Sequence, residues 1–343
     1  MRASLRMIAR ETGVGLGTVS RALRGLAGVT PETQARILAA AGRLGYVRDP
    51  QLAHAFSFAR RAEKPVYRET LAFLAAERES GYVNHPWLEQ VCEGARSRAA
   101  DLGYTVRCFS TPRLARAQRA LSRQLRAQGI RGVAISAVIE WVPFELDMAW
   151  EHFAAVELGH SLWSPSLMRV ERDLADDFAR MFSEIQRRGY RRIGLAMNRD
   201  DEVRRRWSVL ASYLLFRHRN EGLAGLAGLR PLEDVFPYTR RDLLRWIRRE
   251  RPDVIVVNGS EPLDWLREEG WRVPGDVAVC RIDCIPGRPE TGLAADYRQM
   301  GRAGVNLLSN ALEHGELGLP ERPGVLSIPN RWSEGSTLPA DVR

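Results

Sequence analysis

Lysine is nearly missing from this 343-residue chain: Lys64 is the single lysine in a combined Lys and Arg count of 51. Part of the arginine excess is therefore coding bias, and the placement of charge says more than its total. Cysteine is scarce as well. Cys92 and Cys108 fall in separate expected elements, and Cys280 and Cys284 are spaced CxxxC at an expected strand end. Neither spacing is that of a zinc or thioredoxin-like site, so the four read as small buried hydrophobes, and no metal or cofactor is expected. The six histidines are scattered singly. His-Glu-x-x-His, Gly-x-Ser-x-Gly and a Walker-type phosphate loop are all absent, which argues against an enzyme. Paired carboxylates such as Asp176-Asp177 and Asp200-Asp201 are sequence neighbours that point in different directions on a helix, and surface charge is the expectation. Apolar runs are short, Gly132–Ile139 and Val254–Val257 being the longest, far below a membrane span. With no apolar signal core after Met1, a soluble cytoplasmic protein is expected.

What is present begins with the charge partition. Residues 1–61 hold ten arginines against three acidic residues, a net +7 of the chain's +9. A basic segment on a nearly balanced body is the footprint of a nucleic-acid binder. Within it, Ile8 and Ala9 are apolar, Gly13-Val14-Gly15 interrupts the helical pattern, and a new helix starts at Leu16 with Val19, Ala22 and Leu23 on one face. Two short helices around a glycine turn make a helix-turn-helix. A third helix runs from Thr30 to Leu44. Thr30 caps it, Pro31 suits its first turn, Ile37, Leu38, Ala41 and Leu44 form its apolar stripe, and Gly45 ends it.

Taken in order, Ile8-Ala9, Gly13-Val14, Thr18-Val19-Ser20-Arg21-Ala22-Leu23, Val29-Thr30-Pro31-Glu32-Thr33 and Leu44-Gly45-Tyr46 resemble the start of the LacI/GalR family of bacterial transcription regulators. The resemblance implies a DNA-reading set of Leu5, Leu16, Gly17, Thr18, Ser20, Arg21 and Arg24. Arg21 suits guanine O6 and N7, while Thr18 and Ser20 suit phosphate oxygens. Gly17 offers no side chain, so one half-site position is less specified. In the family a hinge helix follows and wedges the minor groove open. Asp49-Pro50 can start such a helix here. Ala55 stands where members usually have leucine, leaving Phe56 or Leu52 as the wedge, or a linker helix that only packs a dimer.

After the linker Ala62-Glu63-Lys64-Pro65, strands and helices alternate. Strands are expected at Leu71–Ala75, Thr105–Phe109, Val133–Ser136, Ala154–Leu158, Arg192–Ala196, Asp253–Val257 and Val277–Ile282. Helices are expected at Trp87–Leu102, Leu114–Gln128, Asp173–Arg188, Glu202–Asn220 and Arg240–Glu250. This is the pattern of an α/β body with doubly wound parallel sheets. Gly189–Leu195, Arg251–Val257, Val273–Asp283 and Arg331–Thr337 resemble the family's effector-binding body, a periplasmic-binding-protein-like fold of two subdomains. The division expected is 1–48 for the headpiece, 49–65 for hinge and linker, and 66–340 for the body. Chain crossings between subdomains are placed near Gly159, Ile285 and Gly324.

The resemblance further implies an effector site between the subdomains, at the carboxyl ends of the strands. Asp283 ends a strand where members reach polar effector groups, although Cys284 replaces their second residue. A carboxylate there suits a sugar's hydroxyls; a helix cap or internal ion pair is the alternative. Arg204 is the arginine chosen from the run after Asp200-Asp201, since Val203 stands at the strict position; a solvated charge run accounts for it equally. Trp87, in Asn84-His85-Pro86-Trp87, either stacks on a sugar ring or packs in the core. Asp296 is a weaker polar candidate. The function expected is a homodimeric repressor of carbohydrate-related genes, binding an approximately palindromic operator and a small sugar-like effector, with no membrane partner.

Overall fold

In a computed structural model of the chain, the residues described are 5–23, 28–44, 46, 69–78, 81–82, 86–112, 114–136, 144–160, 162–197, 202–203, 205–220, 238–285 and 287–340. Three helices open it: α1 (Leu5–Thr12), α2 (Leu16–Ala22) and α3 (Pro31–Arg43). Gly13 turns the chain between α1 and α2 with φ +66°, a left-handed conformation that costs glycine little. Thr30 caps α3 by accepting from the Thr33 backbone N–H. Ile8, Val19, Ala22, Ile37, Ala40 and Ala41 form the small core. Leu38, expected in the α3 stripe, is 50% exposed, and Ala40 takes the buried place. Positions 37, 40, 41 and 44 and positions 37, 38, 41 and 44 differ by one residue on the helical wheel, and the face that packs on the headpiece core is the first of the two.

The body follows as β1 (Glu69–Arg78), β2 (Gly81–Tyr82), α4 (Pro86–Leu102), β3 (Tyr104–Thr111), α5 (Ala115–Ala127), β4 (Gly132–Ser136), β5 (Phe144–Glu145), β6 (Ala154–Leu158), β7 (Leu162–Ser164) and β8 (Met168–Arg172). Next come α6 (Leu174–Arg187), β9 (Ile193–Ala196), α7 (Ser208–Arg219), α8 (Arg240–Glu250), β10 (Val254–Val257), α9 (Glu261–Glu268), β11 (Ala278–Arg281) and β12 (Thr291–Ala294). The last are α10 (Tyr297–His314), β13 (Val325–Ile328) and β14 (Arg331–Ser333). Two main sheets result. The first runs β13-β8-β6-β4-β1, with β3 parallel on the far edge of β1 and β2 as its short antiparallel partner. The second runs β14-β12-β11-β10-β9, parallel except for β14. Strands β4, β9, β10 and β11 are buried throughout, as parallel strands covered on both faces must be.

Each sheet has an apolar core on either face. In the first, α4 and α10 cover one side and α5 with residues 144–167 the other. In the second, α6 and α7 lie on one side, α8 and α9 on the other. The chain leaves the first sheet after β8, returns from β12 into α10, and leaves again between β13 and β14. Gly159 therefore lies inside the first sheet's run, Ile285 between two strands of the second, and Gly324 ahead of a first-sheet strand. The crossings displace in each case because a strand (β8, β12 or β13) was not expected from the sequence. The Glu202–Asn220 helix is also shorter: Arg206 and Trp207 take positive φ (+51° and +61°), and α7 starts only at Ser208. No helix among the described residues is long and apolar enough to cross a membrane.

Candidate functional site

On the headpiece, α2 turns Val19 and Ala22 into the core and leaves the opposite face outward. Leu16 is 45% exposed there, Gly17 and Arg21 are exposed, and Thr18 is half-buried. The Arg21 Nε makes a long contact, 3.4 Å, to the Gly17 carbonyl one turn back, and the residue is exposed. Leu5 sits partly against the headpiece core. The salt bridge Arg43–Glu11 (2.8 Å) ties α3 to α1. Arg24, Leu52, Ala55 and Phe56 lie outside the described residues, as does the Ser20 side chain.

In the body, a polar cluster forms where the two sheets meet. Asp283 follows β11 by two residues, at the carboxyl end of a central strand of the second sheet. Tyr297, the first residue of α10, places its hydroxyl 2.9 Å from each Asp283 oxygen and donates to the carboxylate. Arg172, the last residue of β8 and half-buried, comes from the first sheet. It donates to the Ile282 carbonyl (2.6 Å) and to Asn330 Oδ1 (3.1 Å), with Nη1 at 4.0 Å from Asp283. Asp283 thus rests between a phenol and a guanidinium supplied by the other half. Burial first, then the neighbouring carboxylate, push the Tyr297 phenol well up from its ordinary range, so it stays a donor. Trp87, in the first turn of α4, packs its ring on Tyr297 with centroids 5.7 Å apart and planes tilted by 39°.

Beside this cluster, His160 Nδ1 is 3.2 Å from Glu171 Oε2, and Arg169 Nε is 2.7 Å from the same oxygen. Arg206, from the second half, lays its guanidinium 4.5 Å from the Trp163 ring centroid and reaches the Leu162 carbonyl at 3.3 Å. Such cation–ring contacts contribute about 0.5–1 kcal/mol when exposed. They span the same boundary as Arg172.

Of the residues singled out from the sequence, Asp283 and Trp87 come together through Tyr297. Asp296 does not join them: it caps α10, accepting from the Gln299 N–H at 3.0 Å. Arg204 lies outside the described residues. Arg172, Tyr297, Arg206, Trp163 and His160 were not foreseen. A readable signal existed for Tyr297, since an Asp-Tyr pair opening a helix places the aromatic beside the strand ends. None existed for Arg172, whose partners are more than a hundred residues away.

Residues 4–49 match a family model described as bacterial regulatory proteins, lacI family, and residues 183–337 match one described as a periplasmic binding protein-like domain. No curated protein matches the chain by sequence. Among solved structures, a transcriptional regulator CelR–cellobiose complex is 21% identical with a TM-score of 0.58, covering 98% of this chain and 100% of its own. The lac repressor dimer bound to operator and the anti-inducer ONPF is 18% identical with a TM-score of 0.56, covering 98% and 99%. A LacI family regulator CCPA from Weissella paramesenteroides with bound glucose is 13% identical with a TM-score of 0.57, covering 79% and 98%. These identities establish a shared fold, and the two family models cover the headpiece and residues 183–337 of the body. Residues 4–49 thus carry the DNA-binding domain of the lacI family of bacterial regulatory proteins, and residues 183–337 a periplasmic-binding-protein-like domain behind it, the domain order of a lacI-family DNA-binding regulator.

Proposed function

We propose that the protein is a homodimeric, cytoplasmic repressor of carbohydrate-related genes whose operator affinity is set by a small sugar-like effector bound between the two halves of the body. The observation that carries this is Asp283, held at the mouth of the second sheet by Tyr297 and Arg172 from the first half, next to Trp87. A carboxylate accepts hydroxyl hydrogen bonds and an indole face takes the apolar face of a pyranose. Solved structures of the same fold support the ligand class, holding cellobiose in one case and glucose in another. The dimer bound to operator in the lac repressor supports the assembly. Residues 1–48 form the headpiece, 49–65 the hinge with Leu52, Ala55 and Phe56, and 66–340 the body. Arg204, outside the described residues, is assigned as a further effector contact on the family resemblance alone.

An effector that lowers operator affinity must itself bind more weakly to the operator-bound protein. Ligand contacts that span both halves supply that difference, because they favour one angle between the halves over another. The test is retention of the protein's own upstream DNA by the purified chain, with and without a panel of mono- and disaccharides. Specific retention shifted by one sugar is expected, together with a steep loss of affinity as salt rises. Retention without sequence preference sinks the reading.

A further inference from the structure

Away from the cleft, the fold draws two thiols together. Cys92 lies in the second turn of α4, and Cys108 on the edge strand β3 beneath it. Their sulfurs are 3.4 Å apart, a thiol–thiol hydrogen-bond distance, and both are free. One helical turn beyond Cys92, the exposed Arg96 sets Nη2 3.0 Å from Cys108 Sγ. A guanidinium that close favours thiolate over thiol, and the thiolate is the reactive form. Exposure divides the pair. Cys92 is 8% exposed, whereas Cys108 is half-buried on the sheet edge.

We propose that Cys92 and Cys108 form a redox-active dithiol that peroxide closes into an intramolecular disulfide, Cys108 attacking and Cys92 resolving. The Cys108 thiolate attacks one peroxide oxygen. The O–O bond breaks, and the departing hydroxide takes up a proton as water, leaving a sulfenic acid. The Cys92 sulfur then attacks the sulfenic sulfur and the S–O bond breaks. The hydroxide leaves with the proton from Cys92 as a second water. Two electrons pass from the two sulfurs to the peroxide, and two thiols plus hydrogen peroxide give one disulfide and two waters. The protonation pattern agrees with these roles. The hydrogen bond from Cys92, helped by Arg96, lowers Cys108 to about 6, and the same contact with burial pushes Cys92 up. The resulting tie would pin α4 to β3 five residues from Trp87.

The other cysteines provide a control inside the same chain. Cys280 and Cys284 are buried in the second half, where burial pushes Cys284 up to about 12 and Cys280 well above its ordinary value. They should stay reduced under the same treatment.

The experiment treats the reduced full-length protein with a few equivalents of hydrogen peroxide and follows it by intact mass and peptide mapping. The expected product is lighter by two hydrogen atoms, carries a Cys92–Cys108 cross-linked peptide, and returns to the starting mass with dithiothreitol. Cys92→Ser should stop at a Cys108 sulfenic acid trapped by dimedone, and Arg96→Gln should slow thiol loss about tenfold. The wild-type mass measurement stands without either variant. An unchanged mass, a cross-link between two chains, or oxidation of Cys280 or Cys284 ahead of Cys108 overturns the proposal.

Discussion

The two halves of the body have the same plan, a parallel sheet with a core on each face, but they close those cores differently. In the first half α4 and α10 meet backbone to backbone. A Cβ at Gly301 would stand 2.0 Å from the Val91 carbonyl oxygen, and one at Gly94 would stand 2.0 Å from the Arg298 carbonyl oxygen. In the second half large side chains fill the space: Phe178, Phe182 and Tyr213 on one face, Trp246 on the other. Tyr213 also anchors its hydroxyl on the Ile193 carbonyl at 2.6 Å. A backbone contact cannot be relieved by a rotamer change, whereas a side-chain contact can. The α4–α10 contact of the first half should therefore be less forgiving than the packing around Trp246 in the second.

Glycine-to-alanine changes test this contrast most severely. Gly301→Ala should destabilise the body by about 3 kcal/mol or more, because α10 must move off α4. Gly194→Ala sets its new methyl 2.5 Å from the edge of the Trp246 ring. That ring can shift, so a cost of about 1 kcal/mol is expected. Chemical denaturation of the two variants gives the comparison directly. Equal losses would mean that the halves do not differ in the way their cores close.

Arg172 tests what joins the halves. Arg172→Met strips the Ile282 carbonyl and Asn330 of their donor and leaves Asp283 without its cation. Such losses at a buried charge cost about 2–4 kcal/mol. Part of the loss should appear as broken cooperativity, with the halves unfolding in separate steps. A single transition shifted by less than about 0.5 kcal/mol would show that Arg172 does not couple them.

The same contrast governs what could be read from the sequence. Helices α4 and α8 were legible because their apolar residues repeat every three or four positions, and β10 because it is an unbroken β-branched run. Helix α10 was not, since Gly301 and Gly304 look like interruptions when in fact they are its contact surface. Strand β8 was missed because Met168, Arg169, Glu171 and Arg172 are all half-buried around the single buried Val170, so no clean alternation marks it. No glycine or proline announces the break at Arg206 and Trp207. In the site, Asp283 and Trp87 stand on motifs, while Arg172 and Tyr297 acquire their roles only when distant segments meet.

On the headpiece the effect is smaller in stability and confined to readout. Arg21→Ala should leave the body's unfolding unchanged and remove about 1–3 kcal/mol of discrimination at one base position in each half-site. Competition titrations with single-base operator variants measure it. A uniform loss across all variants would instead mark Arg21 as a phosphate contact.

The smallest effect expected is a pH response confined to the first half. His160 sits against Glu171, yet burial, then the Arg169 and Arg206 cations, lower its pKa from 6.5 to about 4. The folded state thus binds fewer protons than the unfolded one between about pH 6.5 and 4, so stability falls as pH drops through that window and is unaffected by His160 above it. Burial raises Glu171, which works in the opposite direction as its carboxyl protonates. The net loss should stay below about 2 kcal/mol. His160→Gln removes only the imidazole contribution, and should flatten the slope between pH 6.5 and 5. Hydrogen exchange then locates the change: in the wild type, strands β6 and β8 should lose protection before β9 and β10. If β9 and β10 open together with them, protonation of His160 is felt by the body as one unit, and the difference between its halves lies in packing alone.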